Sequence, residues 1–292
     1  MWVTGSRNAM LMGLMAVALW STVATAFKMA LSLISVDVLV ALACLMSTSI
    51  LVAAAWWRGH LRLVFHEIRR KPLLYVALGL INPILYYSIL LRAYDLLPAQ
   101  QAQTINYTWA ITLSLLAIPV LGQRLALRDW LAVILGYFGV VVIATQGRFE
   151  FGAIASPLGL ALALASTLLW AGFWLANTRL KVEGSVSLTA MFLAASPAAI
   201  ALLWWRFPAE LSLKGLLAAS YVGAFEMGIT FLLWSAALKQ AENVSRVANL
   251  IFLAPLLSLV LIQAVLGETI HVATLIGFAC IVPAVIFQQR AT

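Results

Sequence analysis

One carboxylate, Glu226, falls deep inside a long apolar stretch, 215–237. An ionised carboxylate in hydrocarbon is costly, so this one is either protonated or paired. The chemistry it offers is to meet a cation such as an ammonium group, or to carry a proton. Polar side chains recur at helical spacing in other apolar stretches. One stripe is Gln100, Gln103, Thr104 and Tyr107, with Ser114 two turns on, and another is Tyr75, Gly79, Asn82 and Tyr86. Ser21, Thr25 and Lys28 mark a third, and Thr167, Trp170, Trp174 and Asn177 a fourth. Amide and hydroxyl groups such as Asn82, Gln103 and Tyr107 can hydrogen-bond an anion. The deep rings of Trp20, Trp109 and Trp170 can stack on a side chain or attract a cation. Each polar residue taken singly has a plainer use as interhelical glue, and each ring a plainer use in packing. Stripes on several segments argue for a shared hollow. Trp109 projects away from the Gln103–Tyr107 stripe on an ideal helix, so it joins that stripe only if the helix bends.

The elements that must position these groups are membrane spans. Hydrophobic residues make up 64% of the 292 residues and charged ones 10%, against roughly 25% charged in a soluble domain. Crossing hydrocarbon takes about 20 apolar residues in helix. Ten stretches qualify: 8–27, 36–57, 73–92, 99–121, 130–147, 156–178, 187–205, 215–237, 246–267 and 270–289. The runs are continuous, which excludes the alternating pattern of a β-barrel. Arg7, an apolar run and Ala24-Thr25-Ala26 imitate a signal peptide, but the counterpart of Trp20 at Trp170 argues that the first span is retained. Asn82 precedes Pro83, which cannot donate a backbone hydrogen bond, so a kink is expected there.

The stretches form two copies. Trp20 is matched by Trp170, Val120-Leu121-Gly122-Gln123 by Val265-Leu266-Gly267-Glu268, and Leu135-Gly136-Tyr137-Phe138-Gly139 loosely by Ile276-Gly277-Phe278-Ala279-Cys280. At the 145-residue offset Asn249 falls opposite Thr104. Two domains follow, 1–150 with five spans and 151–292 with five. An odd number of spans per copy makes the second copy enter from the opposite side. The expected fold is all-α and integral to the membrane, ten helices in two inverted five-helix repeats around a mid-membrane site that opens to either face.

Thirteen of the 18 Lys and Arg fall on one side if the chain starts inside: Arg7, Arg58, Arg62, Arg69, Arg70, Lys71, Arg124, Arg128, Arg179, Lys181, Lys239, Arg246 and Arg290. Lys28, Arg92, Arg148, Arg206 and Lys214 fall on the other. This bias places both termini in the cytoplasm. The net charge of +8 therefore needs no nucleic acid, and Arg69-Arg70-Lys71 is expected against anionic headgroups. Trp56-Trp57 and Trp204-Trp205, at equivalent span ends, read as interfacial anchors. Gly136, Gly139 and Gly277 permit close helix contact, so the fifth and tenth spans read as supports. Cys44 and Cys280 read as apolar fillers, and His60, His66 and His271 have no ligand spacing, so neither metal nor cofactor is expected. No P-loop occurs. An enzyme would need a catalytic constellation within the bundle; no deep His, paired carboxylates or Ser–Lys motif provides one.

Trp20 followed by Lys28, Leu233-Trp234-Ser235-Ala236-Ala237-Leu238 before a polar turn, and Pro255 leading into Leu266-Gly267-Glu268 together resemble the EamA-type repeats of the drug/metabolite transporter superfamily. Within it, Ile105-Asn106-Tyr107-Thr108-Trp109 and Leu19-Trp20-Ser21-Thr22 are similar to the bacterial aromatic amino-acid exporters called YddG. The resemblance implies a basket of ten helices, with helices 1, 3, 4, 6, 8 and 9 lining a central cavity, in a bacterial inner-membrane exporter of amino acids or other small metabolites. The expected substrate contacts are Trp20, Asn82, Tyr86, Gln103, Tyr107, Trp109, Trp170, Glu226 and Asn249, with Asn82, Gln103 and Tyr107 on a carboxylate, Glu226 or an aromatic face on an ammonium group, and Trp20 and Trp170 on the side chain. A monomer is expected. A hydrophobic cation or another small metabolite, such as a nucleobase-like one, is the rival cargo. Gln123 stands where the second copy has Glu268, Ala110 where it has Pro255, and Glu226 has no counterpart in those exporters, so the departures bear on cargo more than on fold.

Overall fold

Long apolar runs give helices throughout the computed structural model, which describes residues 2–122, 126–150, 154, 156–180, 182–208, 211–241, 247 and 249–289. Gln123, Arg124, Lys181, Arg246 and Arg290 lie outside the described residues, as do the side chains of Arg128 and Asn249. The first helices in chain order are α1 (Trp2–Leu31), α2 (Val36–Trp57), α3 (Leu61–Arg70), α4 (Pro72–Gly79), a π-helical turn Leu80–Leu85, α5 (Tyr86–Leu96), α6 (Ala99–Asn106), α7 (Trp109–Leu121), α8 (Leu127–Ala144) and α9 (Pro157–Thr178). They are followed by α10 (Gly184–Arg206), α11 (Leu213–Val222), a π-helical turn Gly223–Gly228, α12 (Ile229–Gln240), a 3-10 turn Asn249–Phe252, α13 (Leu253–Leu261), a π-helical turn Ile262–Leu266 and α14 (Val272–Gln289). No strand occurs among the described residues. Ser156 and Ser212 start α9 and α11 by accepting the N–H of Gly159 at 3.0 Å and of Gly215 at 3.1 Å. Gly122 ends α7 at φ 67°, a left-handed cap that glycine adopts without strain.

Among the described residues, six helical stretches are long and apolar enough to cross a membrane: Arg7–Leu31, Val36–Trp57, Pro72–Leu96, Pro157–Asn177, Gly184–Arg206 and Leu213–Gln240. Asp129–Ala144, Leu250–Leu266 and Val272–Ala284 are shorter apolar helices. This is a multi-pass membrane protein. Trp56, Trp57, Trp204 and Trp205 are 73%, 89%, 80% and 75% exposed at the ends of α2 and α10, as interfacial anchors require. Cys44 is buried, as an apolar filler would be.

Four of the stretches expected as continuous spans are interrupted. Asn82 leaves helical geometry (φ −140°, ψ 114°) ahead of Pro83, and the peptide between them is cis. The segment 99–121 breaks at Tyr107–Thr108, where Thr108 turns both its N–H and its hydroxyl back to the carbonyl of Ile105, at 3.0 and 2.7 Å. Such a local bond competes with the regular ladder. In 215–237 the π turn ends at Gly228 (φ −107°, ψ −92°), and the Thr230 hydroxyl donates to the Phe225 carbonyl. The segment 246–267 carries the 3-10 turn near its start and a π turn at its end.

The chain divides into two compact units, and each draws on both halves of the sequence. The first comprises Met1–Ser88 and Lys181–Leu261. In it α2 packs along α10 and the 223–228 turn, and α1 along α12 and α13. Arg206 lies 3.5 Å from Asp37, tying the end of α10 to the start of α2.

The second unit comprises Ile89–Leu180 and Ile262–Thr292. Its most extensive helix pairing is α8 with α14, the two supports expected from their glycines. A Cβ at Gly139 would run into the carbonyl of Gly277. Elsewhere in this unit Glu268 reaches the start of α6. Its oxygens accept the N–H groups of Ala99 at 2.9 Å and Gln100 at 3.4 Å. The Gln100 amide donates to the Thr269 carbonyl at 2.7 Å and accepts from the Thr274 hydroxyl at 2.9 Å. A carboxylate at a helix N-terminus satisfies donors that the helix leaves open. Glu268→Ala is expected to cost about 1–2 kcal/mol, with faster hydrogen exchange at the Ala99 and Gln100 amides. Unchanged exchange there would remove Glu268 as the cap.

Candidate functional site

Glu226 sits in the π turn Gly223–Gly228, within the first unit. Gly223 allows that turn to lie directly on α2, since a Cβ there would strike the carbonyl of Ala43. The carboxyl therefore projects from a backbone held tightly in place. Tyr87, wholly buried in α5, donates its hydroxyl to Glu226 Oε1 at 3.0 Å. Trp20 of α1 donates its indole N–H to the Glu226 backbone carbonyl at 3.3 Å, using an acceptor of an irregular turn.

Aromatic rings surround this pair. Trp20 meets Phe231 edge-on at 5.6 Å between centroids and Trp234 at 5.4 Å. Tyr87 is flanked by Tyr86 at 4.7 Å and Phe27 at 6.5 Å. Thr22 and Tyr221 share a hydrogen bond of 2.8 Å, and Tyr221 packs on Phe225 at 4.7 Å. Glu226, Trp20, Tyr221, Phe231 and Trp234 all keep partial exposure. A carboxyl whose Oε1 is tethered by Tyr87, among partly open aromatic rings, can accept a proton or face a cation that the rings also attract.

The nine expected contact residues fall in both units. In the first, Trp20 joins Glu226. Tyr86 is buried and serves as a wall for Tyr87. Asn82 is 1% exposed, and its Oδ1 has no hydrogen-bond partner among the described residues. Asn249 opens the 3-10 turn. In the second unit Gln103 is buried, its Oε1 without a hydrogen-bond partner among the described residues, and Tyr107 caps α6 at the interruption. Trp109 starts α7 immediately after it, so the ideal-helix projection that turned Trp109 from the stripe does not apply. Trp170 packs on Phe173 at 5.8 Å and Trp174 at 5.9 Å. Leaving a buried acceptor unpaired costs about 1–3 kcal/mol. The orphaned atoms of Asn82 and Gln103 are acceptors, which a donor would satisfy.

Gln100 departs from its stripe. Its amide is used on both sides by Thr269 and Thr274, which makes it part of the scaffold. Tyr87 is the residue that helical spacing missed. Counting from Asn82 on an unbroken helix selects Tyr86, but the interruption at Asn82 resets the phase. Pro83 was the available signal. Phe231 and Trp234 lie beyond the π turn that holds Glu226, so spacing counted from Glu226 does not select them.

The profile of the EamA-like transporter family matches residues 7–145 and again 157–288. The chain is 26% identical over 236 residues to the uncharacterized transporter YvbV of Bacillus subtilis (strain 168), spanning 75% of this chain and 73% of that protein. It is 27% identical over 259 residues to the aromatic amino acid exporter YddG of Ancylobacter novellus, spanning 87% and 88%. A solved crystal structure aligns with a TM-score of 0.68 at 24% identity over 98% of this chain and 97% of that one, a likeness of fold.

Proposed function

Since the chain belongs to the EamA-like transporter family, we propose that it exports amino acids, aromatic and other neutral ones, across a bacterial inner membrane by alternating access. The observation that carries this reading is the Tyr87–Glu226 pair among Trp20, Phe231 and Trp234, which suits the ammonium end of a zwitterion with an apolar side chain. Similarity over most of its length to a protein named as an aromatic amino acid exporter supports the cargo class. In the first unit Glu226 faces the ammonium group, Trp20 packs on the side chain, and Asn82 offers an acceptor, with Tyr86 and Asn249 as neighbouring contacts. In the second unit Gln103 and Tyr107 offer amide and hydroxyl groups, and Trp109 and Trp170 offer ring faces.

The chain works as a monomer of ten spans, in two inverted repeats over 1–150 and 151–292, with both termini in the cytoplasm. It is not an enzyme. The substrate gradient drives flux, with Glu226 as the place where a proton could be linked. A second reading, a hydrophobic cation as cargo, is favoured by the same carboxyl among aromatic rings.

Proteoliposomes loaded with a labelled amino-acid panel test both readings. Saturable efflux of an aromatic amino acid, competed by unlabelled amino acids, is the expected result. Efflux of a lipophilic cation that no amino acid competes with would replace the first reading by the second.

A further inference from the structure

Residues 58–71 carry five cations, Arg58, Arg62, Arg69, Arg70 and Lys71, against one acid, Glu67. They include α3, which joins the spans Val36–Trp57 and Pro72–Leu96. The first span ends in Trp56 and Trp57, and the second opens at Pro72, followed by Leu73, 83% exposed. Tryptophans at a span end mark the boundary between hydrocarbon and headgroups. A ten-residue helix is about 15 Å long. Leaving one span and entering the next at that boundary, α3 runs along the membrane surface.

The helix is docked. Val64 and Glu67 are buried, and α3 packs on α10. Tyr75 of α4 donates its hydroxyl to Glu67 Oε2 at 3.2 Å, and Arg70 lies 3.6 Å from the same oxygen. The neighbouring acid Glu183 lies 3.4 Å from Lys239 and 3.9 Å from His60. Both acids are thus engaged away from Arg58, Arg62, Arg69 and Lys71, which are exposed. Leu63 and Phe65 stand beside them, 43% and 48% exposed.

We propose that α3, with Arg58 and Lys71 at its ends, is a binding site for anionic phospholipid headgroups. The guanidinium groups of Arg62 and Arg69 take the phosphate by paired N–H donors, and Leu63 and Phe65 rest at the level of the acyl chains' upper ends. Docking of α3 on α10 fixes the backbone that carries these cations, so the ordering left to the headgroup is that of their side chains. The occupant follows from charge complementarity and from the bilayer that the flanking spans cross. The inference concerns a lipid site and is independent of which cargo is exported.

The test is native mass spectrometry of the full chain in detergent, titrated with phosphatidylglycerol or phosphatidylcholine. Phosphatidylglycerol should be retained in preference. R62Q/R69Q/K71Q should lower its apparent affinity on the order of tenfold to a hundredfold, R69Q alone should lower it by less, and K214Q, elsewhere on the chain, should leave it unchanged. Equal retention of the two lipids by the parent chain, or full retention of phosphatidylglycerol by the triple variant, would overturn the site.

Discussion

Glu226→Gln is expected to lower the initial rate of amino-acid efflux from proteoliposomes by tenfold or more, while the protein stays folded. The substitution keeps the shape and keeps an oxygen for the Tyr87 hydroxyl, which now donates at 3.0 Å. It removes the charge and the titratable proton. A hydrogen bond to a charged partner contributes about 1.5–3 kcal/mol, or roughly ten- to a hundredfold in rate or affinity. Tyr87→Phe should have a smaller effect, because it removes an orienting donor and leaves the carboxyl. If efflux by the Glu226→Gln variant stayed within about twofold of the parent at both acidic and alkaline pH, well under the loss expected for a charged partner, Glu226 would have no role in transport. The same result would leave the family and the fold untouched.

That prediction needed the structure in one respect and the sequence in another. Glu226 stands out in the sequence because burying a carboxylate in a span is costly whatever surrounds it. Its partner Tyr87 does not, because partnership depends on helix phase, and phase is lost at each interruption. Asn82–Pro83 announces its break. Tyr107–Thr108 and Gly223–Gly228 contain no proline, and their irregular turns rest on local hydroxyl bonds and on Gly223 lying against Ala43. The reach of Glu268 to α6 spans 169 residues of sequence, a pairing no periodicity encodes, and it removes Gln100 from the candidate stripe. What spacing did reveal were features that depend on position along one helix or on residue size alone. The terminal tryptophans of α2 and α10 are of that kind, and so are the glycines of α8 and α14. The compact units did not emerge from the repeats, because each unit combines helices from both halves, and similarity between copies says nothing about which helices pack together.

The glycine pairing leads to the largest expected change in stability. Gly139→Ala should destabilise the protein by about 1–3 kcal/mol or more, seen as a lower melting temperature and a loss of the monodisperse peak in detergent. The new methyl would meet the backbone carbonyl of Gly277 and the side chains of Ile281 and Cys280. A carbonyl cannot rotate aside as a side-chain end can, so α8 and α14 must move apart. In lipid, apolar burial does little to press helices together, and their association rests on close van der Waals packing, so separation loses most of what holds the pair. Gly172 in α9 supplies the contrast, since a Cβ there meets nothing within 4 Å. Gly172→Ala removes a flexible residue from a helix and should be neutral or stabilising by up to about 1 kcal/mol. Equal melting temperatures for the two variants would mean that α8 and α14 do not approach at Gly139, and the support role of that helix pair would be lost.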